Sequence, residues 1–207
     1  FWDAGIAGQG EIIGVADTGV NPQSCYWKDL DHPFPYDTVN QDHRKVVSYM
    51  RGSSDGTDLH GHGSHVIASI AGEVLCSPTC GADAKFNGMA QTAKVAIWDI
   101  LSSFSKMSEL AIPDPLDTGL FKPLYGAGSR IFSNSWGGGP NVYTMQAQEI
   151  DQFSVDTPDA LIVMAIGNTG THGKGSAGSP AICKNCLSVG SHDNWDSKQS
   201  SADHVLL

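Results

Sequence analysis

Ile12-Ile13-Gly14-Val15-Ala16 runs straight into Asp17-Thr18-Gly19, and this stretch decides how the fold is read. A short apolar run rich in β-branched residues and closed by a turn is the pattern of a strand buried on both faces. Asp17 then sits at the strand's carboxyl end. Similar runs follow at residues 94–100, 130–134 and 160–166, with shorter ones at 44–49 and 187–190. Residues 64–71 carry Val66, Ile67, Ala68, Ile70 and Ala71 and stop at Gly72, which predicts a buried helix with His62 at its amino end. Residues 143–155, with Met145, Ile150 and Phe153, predict an amphipathic helix, whereas most of 23–57 is polar, aromatic and turn-rich and read as loop. Strands alternating with helices predict an α/β fold, a mostly parallel sheet covered on both faces.

Charge narrows the partners. The chain has 12 basic and 22 acidic side chains, a formal net charge of −10 with His neutral, and no cluster of Lys or Arg. Nucleic acid and anionic membrane both require a basic footprint, so neither is expected. The longest apolar run, around 160–166, is far short of the ~18 residues a membrane-spanning helix needs. The chain opens on Phe1-Trp2 and closes on the apolar Val205-Leu206-Leu207, and the expectation is one domain over 1–207 cut from a longer chain and incomplete at its carboxyl side.

Parallel sheets bind ligands beyond the carboxyl ends of their strands. Three clusters fall there: Asp17-Thr18-Gly19, Ser135-Trp136-Gly137-Gly138 and Gly167-Asn168-Thr169-Gly170. With His62 at a helix start, they supply three of the four parts needed for acyl transfer from a peptide. An Asp fixes the imidazole tautomer, a His carries the proton, and an Asn amide donates to the developing oxyanion; the fourth part is a nucleophile.

The order Asp17-Thr18-Gly19, His62-Gly63-Ser64-His65-Val66, Ser135-Trp136-Gly137, Gly167-Asn168 resembles the subtilisin-like serine proteases over nearly the whole chain. Gly88-Met89-Ala90 through Ala93-Lys94-Val95, and Ser179-Pro180-Ala181 through Lys184-Asn185 to Ser188-Val189-Gly190, are similar to further stretches of that family; Gln91 stands where Pro is usual. The resemblance implies a three-layer subtilisin-like fold and a serine endopeptidase. It implies Asp17 as orienting carboxylate, His62 as general base and acid, and Asn168 as oxyanion donor. Ser135, Trp136, Gly137 and Gly138 would form the edge that pairs with an extended peptide or protein substrate, with residues 165–167 sharing the wall of the side-chain pocket. The family's Gly-Thr-Ser-x-Ala nucleophile motif does not occur in these 207 residues, so the segment alone is expected to be inactive. The alternative is a relative that binds peptides without cleaving them. Family habit points to a secreted or vacuolar/lysosomal protein that requires no cofactor; calcium as a structural ion at acidic stretches such as 29–31 or 55–58 stands against a solvated acidic face, and neither stretch has a calcium-ligand spacing.

Other readings compete at each residue. Asp-Thr-Gly is also the triplet of aspartic proteases, but these need two copies and one is present. His60, His62 and His65 beside Asp58 compose a candidate metal cluster, against a structural role for His65 within the helix. Asn168 is compatible with a simple left-handed turn, and Ser135–Gly139 with an ordinary strand end. Among the five cysteines, Cys76 and Cys80 bracket a turn that suits a local disulfide. Cys183 and Cys186 stay open between disulfide, free thiols and a shared zinc site.

Overall fold

The computed structural model describes residues 1–75, 84–102 and 109–191. Six strands, β1 Ile12–Asp17, β2 Val46–Met50, β3 Lys94–Asp99, β4 Ile131–Asn134, β5 Leu161–Ala165 and β6 Leu187–Val189, form one sheet in the order β2-β3-β1-β4-β5-β6. Every pairing is parallel. The apolar runs of the sequence are thus the strands, and β1, which decides the fold, lies inside the sheet between β3 and β4.

Period-two alternation sorts the side chains into two cores. Ile13 and Val15 of β1, Val95 and Ile97 of β3 and Tyr49 of β2 face Ile67 and Ala71 of helix α1 (His62–Ala71). Ala16, Ala96, Phe132, Ile162 and Met164 face the other way. They meet Leu120 and Phe121 of a π-helical turn (Asp117–Phe121), Leu124 of α2 (Lys122–Gly126), and Ile150 and Phe153 of α3 (Met145–Asp156). Each fully buried aliphatic or aromatic side chain of this kind stabilises the fold by about 1.5–3 kcal/mol before entropy is counted. On the α1 side of β5 and β6 the described residues leave Leu161, Leu187 and Val189 exposed.

Two local features differ from the sequence reading and a third decides between readings it left open. Gly72 does follow α1, but with φ −61° rather than in a left-handed turn. Its reason is close approach, since a Cβ there would lie 2.7 Å from the Ala68 oxygen and 2.9 Å from Tyr26 Cδ1. The helical stretch 117–126 is unexpected because Gly119, Pro123 and Gly126 read as breakers. It forms because Leu116, Leu120, Phe121 and Leu124 all bury on one side, and because Pro123 sits in the first turn of α2, where a missing N–H is tolerated. Cys183 and Cys186 are joined as a disulfide, whereas Cys76 and Cys80 lie outside the described residues. No helix among the described residues is long and apolar enough to cross a membrane.

Candidate active site

Alternation along β1 turns Asp17 to the same face as Ile13 and Val15, toward α1. The helix comes close enough to meet it because its second residue is Gly63: a Cβ at that position would stand 2.9 Å from the Gly19 nitrogen and 3.1 Å from the Thr18 nitrogen. Two side chains lock the approach. The Thr18 hydroxyl accepts from the Gly63 N–H at 2.8 Å and donates to Asp58 Oδ1 at 3.0 Å. Asp58 accepts in turn from the N–H of Gly61 at 2.7 Å and of Ser64 at 2.8 Å. A carboxylate at a helix amino end satisfies orphan donors and complements the helix dipole.

The outcome is a hydrogen bond of 2.7 Å between His62 Nδ1 and Asp17 Oδ1. Asp17 also accepts from the Thr18 N–H at 2.8 Å. The Asp17 side chain is 2% exposed and the His62 ring 45%, so the carboxylate is held from behind while the ring faces the cleft. With Nδ1–H donated to Asp17, the free Nε2 of the neutral ring is a proton acceptor.

A cleft of about 230 Å³ opens at this pair. Thr18, His60 and His62 line it together with Ile100, Leu110 and the Ser135–Trp136–Gly137 segment. Gly137 and Gly138 run at φ +140° and +144°, values that L side chains rarely adopt, and the Gly138 N–H donates to the Ser179 oxygen at 2.9 Å. A larger hollow of about 640 Å³ lies on the outer face of α1, beside His65 and Trp2, and contains neither Asp17 nor His62. The structure therefore brings Asp17, His62, Ser135, Trp136 and Gly137 together at one cleft. Gly138 and Asn168 are not among the residues that line it. Asn168 is exposed in the turn after β5, on the same edge of the sheet but outside the cleft lining.

Residues 8–204 match the family model described as the Subtilase family. The chain belongs to the subtilase family. Among curated relatives of this subtilase, the Serine protease/ABC transporter B family protein tagD of Dictyostelium discoideum is 37% identical over 194 residues, covering 91% of this chain and 10% of that protein. The tagB protein of the same organism is 34% identical over 195 residues, again covering 91% and 10%. The chain thus spans about a tenth of the length of these relatives. Among solved structures, fervidolysin from Fervidobacterium pennivorans aligns with a TM-score of 0.57 at 21% identity over 87% of this chain and 24% of that one. The Clostridium perfringens CspB protease aligns at 0.56 and 21%, over 80% and 37%. At such identities the likeness shows the fold, a subtilisin-like α/β sheet.

In the histidine cluster Asp58 is turned into the amino end of α1 and His65 is exposed on the helix's outer face, and among the described residues no group of three or more His, Cys, Asp or Glu is arranged to hold a metal ion. Asp29 is likewise turned to amides. Burial pushes its carboxyl up, but the N–H groups of Arg44, Asp31 and His32 together with the His32 ring outweigh that and leave it well below the ordinary range. Sequence reasoning missed Thr18 and Asp58 as builders of the site. Their signal was present as an Asp three residues before Gly61, a capping spacing, but the pairing with Thr18 crosses forty residues of chain.

Proposed function

We propose that the chain carries the charge-handling half of a serine endopeptidase site. Asp17 orients His62, His62 accepts the nucleophile's proton through Nε2 and returns it to the leaving amine, and Asn168 donates to the oxyanion. Ser135, Trp136, Gly137 and Gly138 pair with the extended backbone of a peptide or protein substrate, and the nucleophilic serine comes from outside residues 1–207. The observation that carries this reading is the 2.7 Å Asp17–His62 bond at a cleft that Ser135, Trp136 and Gly137 also line. A peptide binder that does no chemistry has no use for an imidazole held in one tautomer by a buried carboxylate. The exposed Leu161, Leu187 and Val189 support a domain that continues beyond this segment. The Cys183–Cys186 disulfide supports an oxidising, secretory or vacuolar setting.

The test is a fluorophosphonate probe, which labels an activated serine, applied to the parent protein containing residues 1–207. Labelling that disappears in His62→Ala is the expected result. A folded parent protein that stays unlabelled moves the assignment to the peptide-binding relative.

A further inference from the structure

A second buried carboxyl stands beside Asp17, and the acyl-transfer chemistry does not use it. Asp99 ends β3 directly opposite Asp17 in the parallel register, on the same face of the sheet, and is 1% exposed. Neighbouring parallel strands lie about 4.8 Å apart, so the two acids are adjacent. Burial, with the nearby Asp58 charge adding to it, pushes the Asp99 carboxyl above the ordinary range, although it accepts three hydrogen bonds. Those bonds come from the Tyr49 hydroxyl at 2.5 Å, from the Ser54 hydroxyl, and from the Leu101 N–H at 3.0 Å.

Each hydroxyl leads to one half of the Asp17–His62 pair. The Tyr49 hydroxyl and Asp99 both press on Gly19, where a Cβ would meet them. This fixes the turn that leaves Asp17. The Ser54 oxygen accepts from the Gly56 N–H at 3.1 Å, which ties to β3 the loop that runs into Asp58 and the amino end of α1. Asp99 thus packs against the turn that carries the carboxylate, at Gly19, and is tied through Ser54 to the loop that delivers the imidazole. We propose that Asp99 is a positioning residue for the Asp17–His62 pair, acting through Tyr49 and Ser54. Calling that pair catalytic rests on the peptidase reading; its geometry does not.

The experiment reads the pair itself, in the parent protein containing residues 1–207, by the low-field proton signal of His62 Nδ1–H and the NMR titration of the His62 ring, with and without Asp99→Asn, Tyr49→Phe and Ser54→Ala, each with a thermal melt. Variants that keep a cooperative melt but lose or broaden the signal and move the His62 midpoint by about half a pH unit or more support the proposal. Should Asp99→Asn fail to fold, the two hydroxyl variants decide, because each removes a single donor. A lowered melting temperature with an unchanged His62 signal and midpoint overturns it and leaves Asp99 a structural acid. In the parent protein the matching result is kcat down about tenfold with KM within about twofold. A parent protein that hydrolyses nothing overturns the peptidase reading, while the ring measurement still decides this one.

Discussion

Adding one methyl at Gly63 tests the whole account of how the site is assembled. The new Cβ would sit 2.9 Å from the Gly19 nitrogen, 3.1 Å from the Thr18 nitrogen and closer still to the Gly19 oxygen. All three are backbone atoms of the turn that follows Asp17, so no rotamer change relieves them. The amino end of α1 has to retreat by roughly 1 Å, carrying His62 with it, and a misplacement of that size costs on the order of 100-fold in rate. Stability follows a different sum. Overpacking costs about 1–3 kcal/mol, but Ala in place of Gly in a helix recovers up to about 1 kcal/mol, so Gly63→Ala should lose only about 0–2 kcal/mol. The expected outcome is a chain that melts nearly as the parent does while the low-field His62 Nδ1–H signal disappears, and a parent protease with kcat down about 100-fold. Gly126→Ala, where nothing lies within 4 Å of the added Cβ, is the control and should change neither readout. A Gly63→Ala variant with an intact signal and turnover within about twofold refutes the claim that this glycine sets the Asp17–His62 distance.

Lys45 is buried with Nζ donating to the Gln91 oxygen at 2.7 Å and the Ala93 oxygen at 2.5 Å, and burial pushes its ammonium down to about 8. The unfolded chain, with an ordinary lysine near ~10.4, holds that proton more tightly, so this group should make stability rise between about pH 8 and pH 10.4 by up to about 3 kcal/mol. Urea titrations across that window should show the rise in the parent and a flat profile in Lys45→Met; identical profiles contradict it. Asp58→Ala removes three accepted hydrogen bonds at the start of α1 and should cost about 1–2 kcal/mol and weaken the His62 signal. A loss under about 0.3 kcal/mol would show that water replaces the cap. Asp151 accepts from Lys184 N, Asn185 N and the Tyr143 hydroxyl at 2.8, 2.7 and 2.6 Å, so it holds the same loop as the Cys183–Cys186 disulfide. Closing so short a loop contributes about 2 kcal/mol at most, and denaturation should rank Asp151→Ala as costlier than Cys183→Ser; the reverse order gives the loop to the disulfide.

What was legible in the sequence follows from local rules. The strands are short apolar runs, and all six lie within two residues of where the sequence pattern put their ends, because a strand inside a covered parallel sheet tolerates little else. The ordered motifs around Asp17, His62 and Ser135 identified the family, since each residue type is demanded by a role at a strand end or helix start. The helix over 117–126 was hidden for the opposite reason. Its Gly and Pro argue against a helix locally, and only burial of Leu120, Phe121 and Leu124 against Phe132 and Phe153 outweighs them.

The sequence by itself determined the sheet, its parallel sense and the residue types at the cleft. Tertiary structure alone decided which of them meet. Asp17 and His62 are forty-five positions apart, and their 2.7 Å contact exists because Gly63 lets α1 touch the Thr18–Gly19 turn, with Asp58 closing the join. Asn168, equally prominent in the sequence, ends on an exposed turn outside that cleft. Distances between remote segments depend on close approach and hydrogen-bond closure across the core, and no local pattern of residues encodes those.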